Sequence, residues 1–176
     1  MSESTRKHKA ESPKSLKFGI FICSTSRYQQ ITKGEKTKDA SGDIIESLLK
    51  KDGHTVSFRK TISDDPTQIK ESMKHAMHST DVDAVIFCGG TGIAQSDVTI
   101  ETVSPLLEKT LPGFGEIFRR LTYDNMGSAA IMSRAVGGVA RGKVFFCIPG
   151  SPDAARLSLE KLILPEAGHI LKHSRE

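Results

Sequence analysis

Asp83 to Glu101 reads D-A-V-I-F-C-G-G-T-G-I-A-Q-S-D-V-T-I-E, an apolar run that stops at Gly89-Gly90-Thr91-Gly92 and is followed by a carboxylate at Asp97. Ala84 to Cys88 is short, apolar and rich in β-branched and aromatic residues, the pattern of a strand buried on both faces, and the glycines mark the loop at its carboxyl end. In an open α/β sheet that edge is where ligands bind. Glycine lets backbone N–H groups approach oxyanions closely, Thr91 adds a hydroxyl donor, and the N-terminus of a following helix favours negative charge. These features predict a phosphate cradle. A carboxylate beside bound phosphates repels them unless it holds a metal ion or orients a reacting group, so Asp97 points to Mg²⁺ and phosphoryl chemistry. The same residues also fit a plain strand-to-helix turn in which Asp97 caps the helix that Val98 begins.

Working outward, strands and helices alternate. Leu16 to Cys23 reads as a first buried strand ended by Ser24-Thr25-Ser26-Arg27. Asp39 to Lys51 carries Ile44/Ile45 and Leu48/Leu49 four apart, the stripe of an amphipathic helix that Gly53 ends. Thr55 to Thr61 alternates Val56 and Phe58 with polar neighbours as a strand does, and Pro66 opens a helix with Ile69, Met73, Ala76 and Met77 on one face. Beyond the glycine loop, a helix is expected from Val98 to about Glu108, then a turn at Leu111-Pro112-Gly113. A helix from Glu116 to Asn125 with Ile117, Phe118 and Leu121 inward comes next. Lys143 to Ile148 is a further strand, ended by Pro149-Gly150-Ser151-Pro152. The C-terminal helical repeat from Leu159 to Leu171 contains Pro165, a candidate interruption. This spacing predicts a single α/β domain, 15–176, with a mainly parallel sheet covered by helices on both faces, in the Rossmann-like manner.

A chain of 176 residues with 37% hydrophobic content fits one domain with a substantial core. No apolar run reaches bilayer-spanning length and the N-terminus lacks a signal-peptide centre, so a soluble cytoplasmic protein with no membrane partner is expected. Cys23, Cys88 and Cys147 each close or adjoin an apolar segment without C-x-x-C spacing, which favours buried reduced thiols over a metal site. The net charge of +4 is spread along the chain apart from Arg6-Lys7-His8-Lys9. That cluster belongs to a tail, 1–14, expected to be solvated and disordered. With no Trp and two Tyr there is no series of stacking platforms, and nucleic-acid binding is not expected.

If the strands are parallel, four loops emerge at one edge: Ser24 to Arg27, Ser63-Asp64-Asp65, Gly89 to Asp97, and Pro149 to Pro152. One of Asp64 and Asp65 is needed to cap the helix at Pro66, which leaves the other available to face a site. Pro149 to Pro152 suits either a tight turn or a pocket wall. Arg27, among hydroxyl residues after a buried strand, suits either a surface charge or a phosphate ligand.

Several longer motifs occur in one order: S-T-S-R, K-D-A-S-G at Lys38 to Gly42, I-S-D-D at Ile62 to Asp65, G-G-T-G with D-V-T-I-E, P-G-F-G-E-I-F-R at Pro112 to Arg119, G-S-A-A-I-M-S-R at Gly127 to Arg134, and P-G-S-P. In this order they resemble the MoaB/MogA family of molybdenum cofactor biosynthesis proteins, and P-G-S-P is similar to its MoaB branch. The resemblance implies an adenylyltransferase that joins molybdopterin to AMP from ATP with Mg²⁺ and releases pyrophosphate. By motif match, Asp64 and Asp97 would be the catalytic and metal-binding acids, and Gly89, Gly90, Thr91 and Gly92 would cradle nucleotide phosphates. Ser26, Arg27, Ser128, Ser133, Arg134, Gly150 and Ser151 would line the pterin and phosphate pocket, with Glu116 at its rim or, equally, at a subunit contact. A homo-oligomer, trimer or hexamer, and a downstream molybdate-inserting protein are implied as partners.

Two departures stand out. Ile-Ala-Gln-Ser between Gly92 and Asp97 lacks the basic residue often found before that aspartate, and Ser151 stands where a lysine is common. Weaker phosphate contacts follow. A non-catalytic pterin carrier or an oligomeric scaffold of the same pathway is the alternative.

Overall fold

The first strand sets the architecture, because its side chains alternate between two covered faces: Phe18, Ile20 and Ile22 enter one core and Phe21 and Cys23 the other. The computed structural model describes residues 11–176; the basic cluster 6–9 lies outside the described residues. Of the expected tail, Glu11 is described, and its carboxylate meets Lys172 Nζ at 2.6 Å. Chain order is β1 (Lys17–Cys23), α1 (Thr25–Thr32), α2 (Ala40–Lys51), β2 (Thr55–Ile62), α3 (Pro66–His78), β3 (Ala84–Cys88), α4 (Thr99–Val103), β4 (Lys109–Thr110) and α5 (Pro112–Met126). It continues with β5 (Val136–Ala140), β6 (Lys143–Ile148), α6 (Pro152–Ser158) and α7 (Leu164–Ser174). Short 3-10 turns follow α4 and α5.

The six-stranded sheet has the order β2-β1-β3-β6-β5-β4. The first four strands of that order are parallel, while β5 and β4 run antiparallel on the β6 edge. One face packs against α2, α5, α6 and α7 through Ile45, Leu49, Phe118, Ala155 and Leu171. The other packs against α3 and α4 through Ile69, Met73 and Val103. Each fully buried side chain of this kind contributes ~1.5–3 kcal/mol. Both layers thus cover a sheet whose central strands are apolar throughout, as the runs in β3 and β6 require.

Five expectations change. Thr25–Thr32 is a helix, although T-S-R-Y-Q-Q-I-T buries no residue and so has no apolar stripe; Ser24 caps it. V-G-G-V-A forms β5, where glycine is required because a Cβ on Gly138 would stand 2.7 Å from the Lys109 carbonyl oxygen of the paired strand. The helix expected to reach Glu108 ends at Val103 and tightens into a 3-10 turn at Pro105. Ile117 faces outward, 52% exposed, because α5 turns Phe114, Phe118 and Thr122 inward at a spacing of four. Pro165 does not end the last helix. It has no N–H for the Lys161 carbonyl, and the backbone widens into a π turn over Leu159–Ile163, where the Leu164 N–H reaches Leu159 O. Among the described residues no helix is long and apolar enough to cross a membrane.

Candidate functional site

The direction of strand succession reverses at β1, which has β2 on one side and β3 on the other. Such a reversal opens a crevice at the carboxyl ends of the strands. A cleft of about 530 Å³ lies there, lined by Arg27, the glycine loop, Asp97, Met132, Arg134 and Gly150 among others. The four loops expected at one edge do leave the carboxyl ends of parallel β1, β2, β3 and β6.

The glycine loop is built for close approach. Gly89 and Gly90 hold φ of +109° and +61°, and a Cβ on Gly89 would meet the Cys23 carbonyl oxygen. Gly89 also packs against Gly150, where an added Cβ would lie 3.2 Å from Gly89 Cα, so the P-G-S-P turn and the glycine loop touch backbone to backbone. Gly89 N–H donates to Ile148 O, but the N–H groups of Gly90, Thr91 and Gly92 have no acceptor among the described residues. Arg134, which also lines the cleft, holds this loop by its carbonyls. Its Nε donates to Thr91 O at 2.9 Å and its Nη2 to Gly92 O at 2.6 Å, while Glu101 accepts from Nη1. Those hydrogen bonds keep the Glu101 carboxyl below its ordinary value. The loop therefore keeps three N–H donors unspent while two of its carbonyls are taken by an arginine. The helix that follows is only five residues long, so the expected dipole contribution is small.

The carboxylates divide their tasks. Asp65 caps α3 by accepting the Gln68 N–H at 2.8 Å, which releases Asp64. Asp64 Oδ2 accepts both the N–H of Thr25 at 2.8 Å and its hydroxyl at 2.9 Å. Asp64 Oδ1 is buried without a partner, 2.7 Å from where a Cβ on Gly90 would sit. Asp64 thus stands behind Gly90, where its free oxygen lies beneath the face that glycine leaves open, and it is not itself among the residues that line the cleft. The Thr99 hydroxyl flanks the same position, with the Cys23 thiol as its neighbour. Asp97 does not cap α4, whose first residue is preceded by Val98 with no side-chain cap. Instead its Oδ2 accepts the Ala94 N–H at 2.9 Å inside the loop, and Oδ1 has no partner among the described residues.

Among the described residues no group of three or more His, Cys, Asp or Glu side chains could hold a metal. Two carboxylate oxygens without hydrogen-bond partners nevertheless fit Mg²⁺, which keeps several waters and takes its remaining oxygens from substrate phosphate.

Arg27 and Ser133 also line the cleft. Arg27 is drawn to Asp39, with Nη1 to Oδ1 at 3.1 Å. Ser26 and Ser128 are exposed and do not line it, and Ser151 is spent capping α6. Glu116 lines a separate hollow of about 260 Å³ with Arg119 and Gly137. Several participants were not expected. Asp39 caps α2 through Gly42 N and binds Arg27 and Arg59 together; Ser41, fully buried, donates to Gly150 O at 2.6 Å. Both lie in K-D-A-S-G, whose place in the motif order was the available signal. Met126, Ala129 and Met132 form an apolar wall that no strand-end rule indicates.

Cys23 and Cys88 lie in the floor of the cleft, and Cys147 lies in the core behind it. Burial pushes the first two thiols up to about 12 and raises Cys147 as well. Reaction requires the thiolate, so thiols raised this far react on the order of a thousandfold more slowly than an exposed one. At pH 8 the native protein is expected to leave all three thiols unmodified by an aromatic disulfide reagent over minutes, and urea to release all three at once. A thiol reacting at the rate of a free peptide would contradict the packing.

The chain matches the family described as probable molybdopterin binding domain over residues 19–169. It is 44% identical over 168 residues to molybdenum cofactor biosynthesis protein B of Bacillus anthracis, covering 95% of each chain. It is 40% identical over 163 residues to the probable molybdopterin adenylyltransferase of Methanocaldococcus jannaschii, covering 93% of this chain and 96% of that one. The crystal structure of the tungsten cofactor synthesizing protein MoaB from Pyrococcus furiosus superposes with a TM-score of 0.82 at 38% identity, covering 94% and 100% of the two chains.

Proposed function

The chain belongs to the MoaB/MogA family of molybdenum cofactor biosynthesis proteins, and on that premise we propose that it is a molybdopterin adenylyltransferase using MgATP. The observation that carries this reading is the set of unspent N–H donors on Gly90, Thr91 and Gly92, three residues that line the same cleft as Asp97. Backbone donors of this kind bind phosphate oxygens without a counter-charge.

In the proposed reaction an oxygen of the molybdopterin terminal phosphate attacks the α-phosphorus of ATP. The bond from that phosphorus to the oxygen bridging to the β-phosphate breaks, and pyrophosphate leaves with its electron pair. The attacking phosphate is already ionised at neutral pH, so no general base is required, and catalysis consists of positioning and charge neutralisation. Gly89 and Gly90 bring the backbone close, and the N–H groups of Gly90, Thr91 and Gly92 hold phosphate oxygens. Asp64 and Asp97 are the residues that would hold Mg²⁺, and the bound ion would neutralise charge between the two anionic reactants. Arg27, fixed by Asp39, offers its remaining donors to the same anions, while Ser133 and Gly150 complete the wall. The thioethers of Met126 and Met132 suit the face of a fused ring. The proposal extends to a homo-oligomer, trimer or hexamer, supported by Ile117, Tyr123 and Ile131, which stand exposed on α5 and the turn after it. The implied downstream partner is a molybdate-inserting protein.

The test is a single-turnover assay with molybdopterin, MgATP labelled at the α-phosphate, and purified protein. Wild type is expected to form labelled adenylyl-molybdopterin, and Asp97→Asn to form it about 10–100-fold more slowly through loss of one carboxylate charge beside the phosphates. Tight pterin binding with no labelled product would move the protein to the carrier class. Neither product nor ligand stabilisation would leave the scaffold reading.

A further inference from the structure

We infer that Thr25 is the positioning residue of Asp64; the catalytic half of this inference rests on the adenylyl-transfer reading, the structural half does not. Thr25 is the first residue of α1, where a helix leaves its N–H groups without intrahelical acceptors. That orphan donor is given to Asp64 Oδ2 at 2.8 Å, and the Thr25 hydroxyl donates to the same oxygen at 2.9 Å. In return the N–H of Asp64 donates to Thr25 Oγ1 at 3.0 Å, and the Ser63 hydroxyl lies 3.1 Å from it. The contact joins the loop after β1 to the loop after β2, across 39 residues of chain.

The arrangement is specific in three ways. Both donors converge on one carboxylate oxygen, so the plane of the carboxylate is set and Oδ1 is turned away, toward Gly90. That second oxygen is the buried one without a partner, so the clamp leaves a charged acceptor unspent beneath the glycine loop. Capping of α3 falls to the neighbouring Asp65, and Asp64 has no other structural bond to make. Neither Thr25 nor Asp64 lines the cleft, but Asp64 lies directly beneath Gly90, which does, so Thr25 acts through Asp64 and from one layer further back. Charge-assisted hydrogen bonds are about twice as strong as neutral ones, which is why a threonine at the first helical position can fix a carboxylate this firmly.

Thr25→Val keeps the shape and the backbone N–H bond but removes the hydroxyl; Thr25→Ser keeps the hydroxyl. A double-mutant cycle with Asp64→Ala, read by urea unfolding, is expected to show coupling of about tenfold in the unfolding equilibrium constant. In the single-turnover assay Thr25→Val is expected to lower the transfer rate about 10–100-fold at unchanged half-saturation by ATP, to add nothing in the Asp64→Ala background, and to be restored within about threefold in Thr25→Ser. Additive unfolding effects would overturn the clamp, and normal transfer by Thr25→Val would overturn its catalytic half. Coupling in unfolding with no product from wild type would instead sink the adenylyltransferase reading and leave the clamp standing.

Discussion

Gly89→Ala is expected to lower stability by roughly 4 kcal/mol, through two costs that add. The first is conformational: φ of +109° lies where an L side chain is strained, at about 1–3 kcal/mol. The second is steric, because the new methyl group would meet the Cys23 carbonyl oxygen. A flexible side chain could swing aside, but that carbonyl belongs to β1, which is paired with strands on both sides. Overpacking against a fixed backbone adds about 1–3 kcal/mol. At ~2–4 °C per kcal/mol for a domain of this size, the thermal midpoint should fall by on the order of 10 °C. Gly53→Ala is the control. Its φ is +86° and nothing lies within 4 Å of an added Cβ, so only the backbone cost of ~1 kcal/mol remains. Thermal unfolding of the two variants beside wild type checks this. Equal shifts would mean that the glycine loop has room to spare at Gly89 and that its close approach to β1 is not enforced.

The difference between these two glycines also shows how far the chain could be read without coordinates. Both are loop glycines after an element ends, and only the neighbouring strand tells which of them must stay glycine. The parallel core was legible because β1, β3 and β6 are uninterrupted apolar runs of strand length, and because Asp39, Pro66 and Gly53 punctuate the helices between them. Elements without that signal were missed. α1 buries nothing, so no periodicity marks it; β5 owes its place to Phe114 and Leu107, which need the two glycines that made it look like a loop. The reading of Ile117 as inward failed for a related reason. Apolar character was available from the residue, but the phase of α5 is set by Phe114 and Phe118 packing under the sheet edge.

The site divides in the same way. Loops at strand ends and residues in ordered motifs were readable, and they brought Arg27, the glycine loop, Asp97, Ser133, Arg134 and Gly150 to one cleft. What was not readable is which partner each side chain takes. Arg134 looked like a free cation for phosphate, yet its donors go to Thr91 O, Gly92 O and Glu101, so its contribution is to turn the loop. Arg27 is likewise held by Asp39, which in turn binds Arg59 from β2. Such links span many residues of chain and carry no local pattern. On the proposed reading, anions would be held mainly by backbone N–H groups and the cation by Asp97 and Asp64, which suits a loop with no basic residue between Gly92 and Asp97.

Adjacent aspartates with opposite duties give the second large effect. Asp64→Asn is expected to slow adenylyl transfer by on the order of 10²–10³-fold, as removal of a preorganised charge from a reaction centre typically does. Asp65→Asn should leave transfer within about twofold, since asparagine is as good a helix cap as aspartate. The contrast follows from hydrogen bonding. In Asp64→Asn the amide oxygen still accepts from Thr25, so the loop after β2 keeps its shape, but the position facing Gly90 becomes an uncharged NH₂ in place of the unspent Oδ1. Charge is lost and fold is retained. Unfolding midpoints of both variants should therefore stay near wild type, which separates a catalytic defect from a damaged structure. Dependence on Mg²⁺ sharpens the test: for Asp64→Asn the ion concentration giving half the maximal rate should rise, and for Asp65→Asn it should not. Matching losses in the two variants, or a normal Asp64→Asn, would remove Asp64 from the reaction and leave it as the anchor between α1 and the loop after β2.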